Sequence, residues 1–177
     1  RIMSILGTFL YRLGRFGPFI TFILTLFILN HKSITIYTYL AGIIFDTFIN
    51  PLIKLIIRQR RPDKTKSTSY VSATLDTSKN PNHTIYPDSF IEKTTDAHRY
   101  GMPSGHAQTS AFNTMFIWLT TKSIHVTLFY IVLTFITCAQ RVIARRHYID
   151  QVIAGLVIGT IIAYFSFTIL SSILKTI

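Results

Sequence analysis

A single cysteine, Cys138, and only seven acidic residues occur in 177 positions. One thiol excludes a disulfide within the chain and leaves the redox compartment open. The carboxylates are too few and too scattered to form a dense metal-binding cluster, and no cysteine cluster exists to replace them, so the sequence calls for no metal and no cofactor. Internal repeats and low-complexity tracts are absent, as is a cleavable signal peptide ending in a small-residue cleavage site. The first residue is Arg1 rather than Met, which leads us to expect a trimmed N-terminus.

Apolar residues, by contrast, are abundant. They make up 49% of the chain and are gathered into long runs, which favours a membrane protein over a soluble core. Eighteen basic residues against seven acidic give a net charge of +11. That balance points to anionic lipid or a phosphorylated substrate. Nucleic acid is set aside, because the cations are not spread along a soluble surface.

A bilayer-spanning helix needs about 20 residues. Five candidates satisfy or approach this: residues 16–30, borrowing from Phe9 onward, then 33–57, 104–121, 124–144 and 150–174. Residues 1–15, with Arg1, Arg12 and Arg15, read as an interfacial helix or the remnant of a further span. The expected fold is all-α: one domain, 1–177, forming a multi-pass integral membrane bundle of about five to six transmembrane helices. A polar segment at about 58–103 interrupts it, and a loop of that length is usually functional or partly disordered. Asn82-His83-Thr84 within it is a glycosylation sequon, relevant only if that face is lumenal. Alternating the spans puts the N-terminus, the polar loop and the 141–150 turn on one face. All Lys and Arg except Lys32, Lys122 and Lys175 fall there. The positive-inside rule makes that face cytoplasmic, unless the cations belong to a binding site.

Three stretches converge on the basic face. In the first, Asp46, Asn50 and Lys54 are four apart and share a helical face. Pro51 is expected to kink the helix and loosen that alignment. Arg61 follows Lys54 by seven residues; Arg58 and Arg60 read as cations snorkelling to headgroups. The second stretch is Pro103-Ser104-Gly105-His106. Ser104 suits an N-cap, the bare N–H groups of a helix start suit phosphate oxygens, and Gly105 permits close approach. In the third, Arg141 and His147 are six apart, and Gln151 lies one turn beyond His147. Arg145 and Arg146 read as headgroup contacts and Tyr148 as an interfacial aromatic. Each stretch has a plain structural reading by itself: a basic helix end, a capped helix, a polar turn. Together they gather fixed cations, a helix N-terminus and two histidines, a set suited to metal-free phosphoryl transfer.

The motifs Lys54…Arg61-Pro62, Pro103-Ser104-Gly105-His106 and Arg141…His147 resemble those of the type 2 phosphatidic acid phosphatase family, which shares a haloperoxidase-like core with vanadium haloperoxidases. All three occur in order with the family's spacing. The resemblance implies that His147 is the nucleophile, forming a phosphohistidine, and that His106 is the general acid. It implies that Lys54, Arg61, Ser104, Gly105 and Arg141 clamp the phosphate; Asp46 and Asn50, on the Lys54 stripe, and Asp150, beside Gln151, are read from their positions as supporting residues. Two positions depart from the pattern. Gln140 stands where the family usually has Ser, and Gln151 where it often has the Asp that orients the nucleophile. The Gln151 amide oxygen can still accept the ring N–H, without charge. Asp150 is adjacent but points about 100° away on a helix. The stretch Tyr-Gly-Met-Pro-Ser-Gly-His-Ala-Gln, 100–108, looks like the dolichyl-diphosphatase branch. The implied activity is hydrolysis of a lipid phosphate or polyprenyl diphosphate. The family's halide-oxidising relatives are soluble and much larger. A catalytically weak, phospholipid-binding scaffold of the same fold is the alternative, and a transporter is disfavoured by the lack of repeated halves.

Overall fold

The computed structural model describes residues 2–31, 33–62 and 96–176. Most of the polar segment, including the sequon at 82–84, lies outside the described residues. Among the described residues the chain is helical, with no named strand: α1 is Ile2–Leu29, α2 Ser33–Ile57, α3 Gly105–Thr121, α4 Ile124–Ile143 and α5 Ile149–Thr176, with a short 3-10 turn at Asp96–Arg99. Four of these, α1 from Gly7, α2, α4 and α5, are long and apolar enough to cross a membrane. The chain is a multi-pass integral membrane protein. Its outer surface agrees, since Phe27, Ile56, Phe135 and Ile143 are each more than 70% exposed, an arrangement suited to lipid rather than water.

One sequence expectation changes. The N-terminal segment is not a separate interfacial piece, because α1 runs unbroken through Arg12, Arg15 and Pro18. It is held there by α4: a Cβ on Gly14 would collide with Gln140, and one on Gly17 with Thr137. The third span candidate forms α3, 17 residues long and shorter than the four helices above. It touches α1, α2, α4 and α5 and so sits inside the bundle, where Gln108, Ser110 and Asn113 are fully buried and need not face lipid.

Packing around α3 combines aromatics with a polar thread. Tyr39 of α2 lies 5.8 Å from the Phe112 ring and 5.3 Å from the Phe116 ring. Its hydroxyl donates to Asn113 Oδ1 at 2.8 Å, and Asn113 Nδ2 donates to Thr21 Oγ1 of α1 at 2.9 Å. Thr25 of α1 meets the Tyr130 hydroxyl of α4 at 3.0 Å. Where lipid supplies no hydrophobic drive between helices, such bonds and close backbone contact decide which faces meet.

A close backbone contact joins α3 and α5. Gly155 and Gly159, one turn apart on α5, face α3 so tightly that a Cβ on Gly155 would meet the Ser104 carbonyl and one on Gly159 the Gln108 carbonyl. Gly159→Leu is therefore expected to lower the free energy of unfolding in mixed detergent by about 1–3 kcal/mol, the usual cost of overpacking. Gly7→Leu, at a position with nothing within 4 Å of the added Cβ, should cause no such loss.

Candidate active site

The α3–α5 contact ends at a joint between two helix starts. The Ser104 N–H donates to the Gln151 carbonyl at 2.9 Å, tying the head of α3 to the first turn of α5. Ser104 holds the N-cap position with extended backbone (φ −69°, ψ 114°), and its carbonyl accepts from Gln108 N–H at 3.0 Å. The expected side-chain cap is not made. Instead Ser104 Oγ is buried with no hydrogen-bond partner, while His106 is half-buried in the same turn.

The six-residue spacing between Arg141 and His147 has a local cause. α4 ends at Ile143, and Arg145 adopts φ 51°, the left-handed conformation. The Arg145 N–H then bonds the Val142 carbonyl at 2.9 Å, and the Arg146 N–H the Arg141 carbonyl at 3.0 Å, which is the Schellman pattern. The turn folds the chain back so that the His147 N–H also reaches the Arg141 carbonyl, at 3.3 Å. Arg141 and His147 are 3% and 2% exposed, so the turn buries a cation and an imidazole together.

α2 supplies the third side. It passes through Pro51 without a break, and Asp46, Asn50 and Lys54 stay aligned and buried, Lys54 at 1% exposure. The expected loosening at Pro51 does not occur. Asp46 and Asn50 face α3, not the polar turn. Gln108 Nε2 donates to the Asp46 carboxylate at 2.9 Å and to the Asp46 carbonyl at 3.0 Å; Thr109 donates to the other carboxylate oxygen at 2.9 Å. Asn50 Nδ2 donates to Gln108 Oε1 at 2.7 Å and to the Pro103 carbonyl at 3.4 Å, beside Gly105. This network satisfies the buried groups and braces α2 against the head of α3. Beyond α2, Arg61 Nε donates to the Tyr100 carbonyl at 3.2 Å, and the Gly101 N–H to the Gln59 carbonyl at 2.8 Å. Arg58, Arg60 and Arg145 are exposed, consistent with headgroup contact.

These bonds gather the three motifs at one end of the bundle. His147 Nδ1 lies 2.9 Å from the Gly101 carbonyl and 3.2 Å from Gln151 Oε1. A carbonyl only accepts, so in the neutral ring Nδ1 carries the proton and the lone pair resides on Nε2. Gln151 thus occupies the role of ring acceptor with an amide. Asp150 is exposed and turned away from the ring; it accepts from Gln59 Nε2 at 2.7 Å. Gly101 must be small, since a Cβ there would collide with the Gln151 amide. Among the described residues, no group of three His, Cys, Asp or Glu side chains is placed to hold a metal ion.

Sequence reasoning overlooked Gln59, Gly101 and Gln108. Gly101 and Gln108 flank the Pro-Ser-Gly-His motif, and Gln108 falls four residues after Ser104, a spacing that could have flagged it. Gln59 carries no signal in a single sequence.

A multi-pass helical protein with a buried histidine beside the starts of two packed helices, and buried cations at the same end of the bundle, is the class that fold and site define. A family model described as the PAP2 superfamily matches residues 35–174, and the chain belongs to that superfamily. Its members are phosphatases, which supports a phosphoric ester hydrolase acting on a phosphate substrate. Neither the curated proteins nor the solved structures gave a match.

The left-handed conformation of Arg145 costs a non-glycine residue about 1 kcal/mol. Arg145→Gly is expected to raise the unfolding free energy by about that amount. Equilibrium unfolding in mixed detergent measures it, and a loss of stability would contradict the Schellman assignment.

Proposed function

We propose that the protein is a metal-independent membrane phosphatase that hydrolyses a lipid phosphate through a phosphohistidine on His147. The observation that carries this reading is the pair of acceptors on His147 Nδ1, which puts the lone pair on Nε2 in a buried, cationic setting. A helix start with its Ser104 hydroxyl buried and unpartnered supports an anion site beside it.

In the proposed reaction Lys54, Arg61, Arg141, Ser104 and the Gly105 amide hold the phosphoryl oxygens. His147 Nε2 attacks phosphorus. The bond from phosphorus to the lipid oxygen breaks, and His106 gives that oxygen its proton. His106, now neutral, takes a proton from water as the water attacks the phosphohistidine, releasing phosphate and restoring both rings. The clamp's fixed charges meet the charge that builds on the equatorial oxygens in each transition state. The apolar tail stays among the spans, so the substrate need not leave the membrane. The stretch 100–108 tilts the substrate towards a polyprenyl diphosphate, with the distal phosphorus attacked and the lipid monophosphate leaving. Gln151 does not by itself argue for an inactive scaffold, because its amide still orients the ring.

Purified protein in detergent with EDTA is expected to release phosphate from at least one of polyprenyl diphosphates, phosphatidic acid and phosphatidylglycerophosphate, and vanadate is expected to inhibit it. His147→Ala should reduce turnover at least about a thousandfold. His106→Ala should cost much less with p-nitrophenyl phosphate than with a lipid phosphate, because nitrophenolate leaves without a proton. Turnover that survives both substitutions would refute the mechanism. A folded protein inert towards every lipid phosphate, yet still binding lipid, would favour the scaffold.

A further inference from the structure

We infer that Gln59 is a positioning residue for His147 and that it couples the carboxylate of Asp150 to the imidazole through the Gln151 amide. This rests on the reading of His147 as the nucleophile.

Gln59 grips both acceptors of His147 Nδ1. Its carbonyl accepts the Gly101 N–H at 2.8 Å, fixing the segment whose Gly101 carbonyl meets the ring. Its side-chain Oε1 accepts from Gln151 Nε2 at 3.1 Å, fixing the amide whose oxygen meets the ring.

The directions along the chain follow from its two acceptor-only ends. An ionised Asp150 can only accept, so Gln59 turns Nε2 towards it at 2.7 Å and Oε1 towards Gln151. The Arg60 carbonyl can only accept, so Gln151 spends its second donor there at 2.9 Å. Gln151 Oε1 is thereby left for His147 Nδ1 and the Tyr148 N–H, each at 3.2 Å. Only one orientation of each amide satisfies every partner, which is the ground on which amide rotamers are assigned. The consequence is a directed path, Asp150 to Gln59 to Gln151 to His147. When attack on phosphorus makes the ring cationic, the path ends in a carboxylate that polarises it. A direct Asp–His pair would do this more strongly. Here the charge is remote and partly exposed, so its share is smaller and screened by salt.

The test uses full-length protein labelled with 15N-histidine in detergent micelles. The His147 signal is identified by its loss in His147→Asn. The wild type should show a neutral ring protonated at Nδ1. Gln59→Ala should give a mixture of tautomers. It should also lower kcat on p-nitrophenyl phosphate by about 3- to 10-fold, the worth of one or two hydrogen bonds, with KM unchanged. Asp150→Ala, at an exposed position, should lower kcat by about 2- to 3-fold, and by nothing further in the Gln59→Ala background. In the Gln151→Asp background, where a carboxylate accepts from Nδ1 directly, Asp150→Ala should be silent. An unchanged tautomer and kcat in both single variants, or fully additive losses, would overturn the inference. A wild type inert towards every phosphate, but with a tautomer that shifts in Gln59→Ala or Asp150→Ala, would retire the phosphatase reading and leave the relay standing.

Discussion

The approach of α5 to α3 across Gly155 and Gly159 is the constraint on which the rest depends. There the two helix backbones come close enough for the Ser104 N–H to bond the Gln151 carbonyl. That bond sets the head of α3, with its bare N–H groups and Ser104 hydroxyl, against the first turn of α5, which follows His147. The Schellman turn at Arg145 then fixes how far His147 lies from Arg141. A change of one residue in that turn would carry the imidazole away from the cation it is buried with. Position, rather than an unusual functional group, is what this site has to offer.

Burial of cations is the second theme. Lys54 and Arg141 are nearly inaccessible in a protein whose outer surface suits lipid. Charges held at such depth are costly, and where they persist they mark function. The bracing network of Asp46, Asn50, Gln108 and Thr109 serves a different purpose. It closes on itself and holds α2 and α3 in register, so that Lys54 arrives at the site on a rigid element. The polar groups that build the frame are thus distinct from the buried cations proposed to meet a phosphate.

Much of this was legible in the sequence. The apolar runs located the helices, because lipid demands long apolar segments whatever the tertiary contacts. They located α3 as well, which as a helix enclosed by its neighbours is free to carry Gln108 and Asn113. Less legible was the unbroken beginning of α1, where Gly14 and Gly17 pack against α4 despite Arg12 and Arg15 nearby. Motif spacing pointed to Lys54, Arg61, His106, Arg141 and His147 as a group. It could not point to Gln59, whose contribution comes from a long-range contact with Gln151, 92 positions away, that leaves no local pattern.

The central claim is that His147 carries the phosphoryl group on Nε2 because Nδ1 is held by Gly101 and Gln151. Rapid mixing with a turned-over phosphate ester, an alkaline quench and mapping of the phosphorylated peptide test it directly, with 31P NMR distinguishing the two ring positions. The account predicts phosphate on His147, attached at Nε2, forming and decaying at rates that match turnover. Turnover without a phosphorylated His147, or phosphate attached at Nδ1, would contradict it.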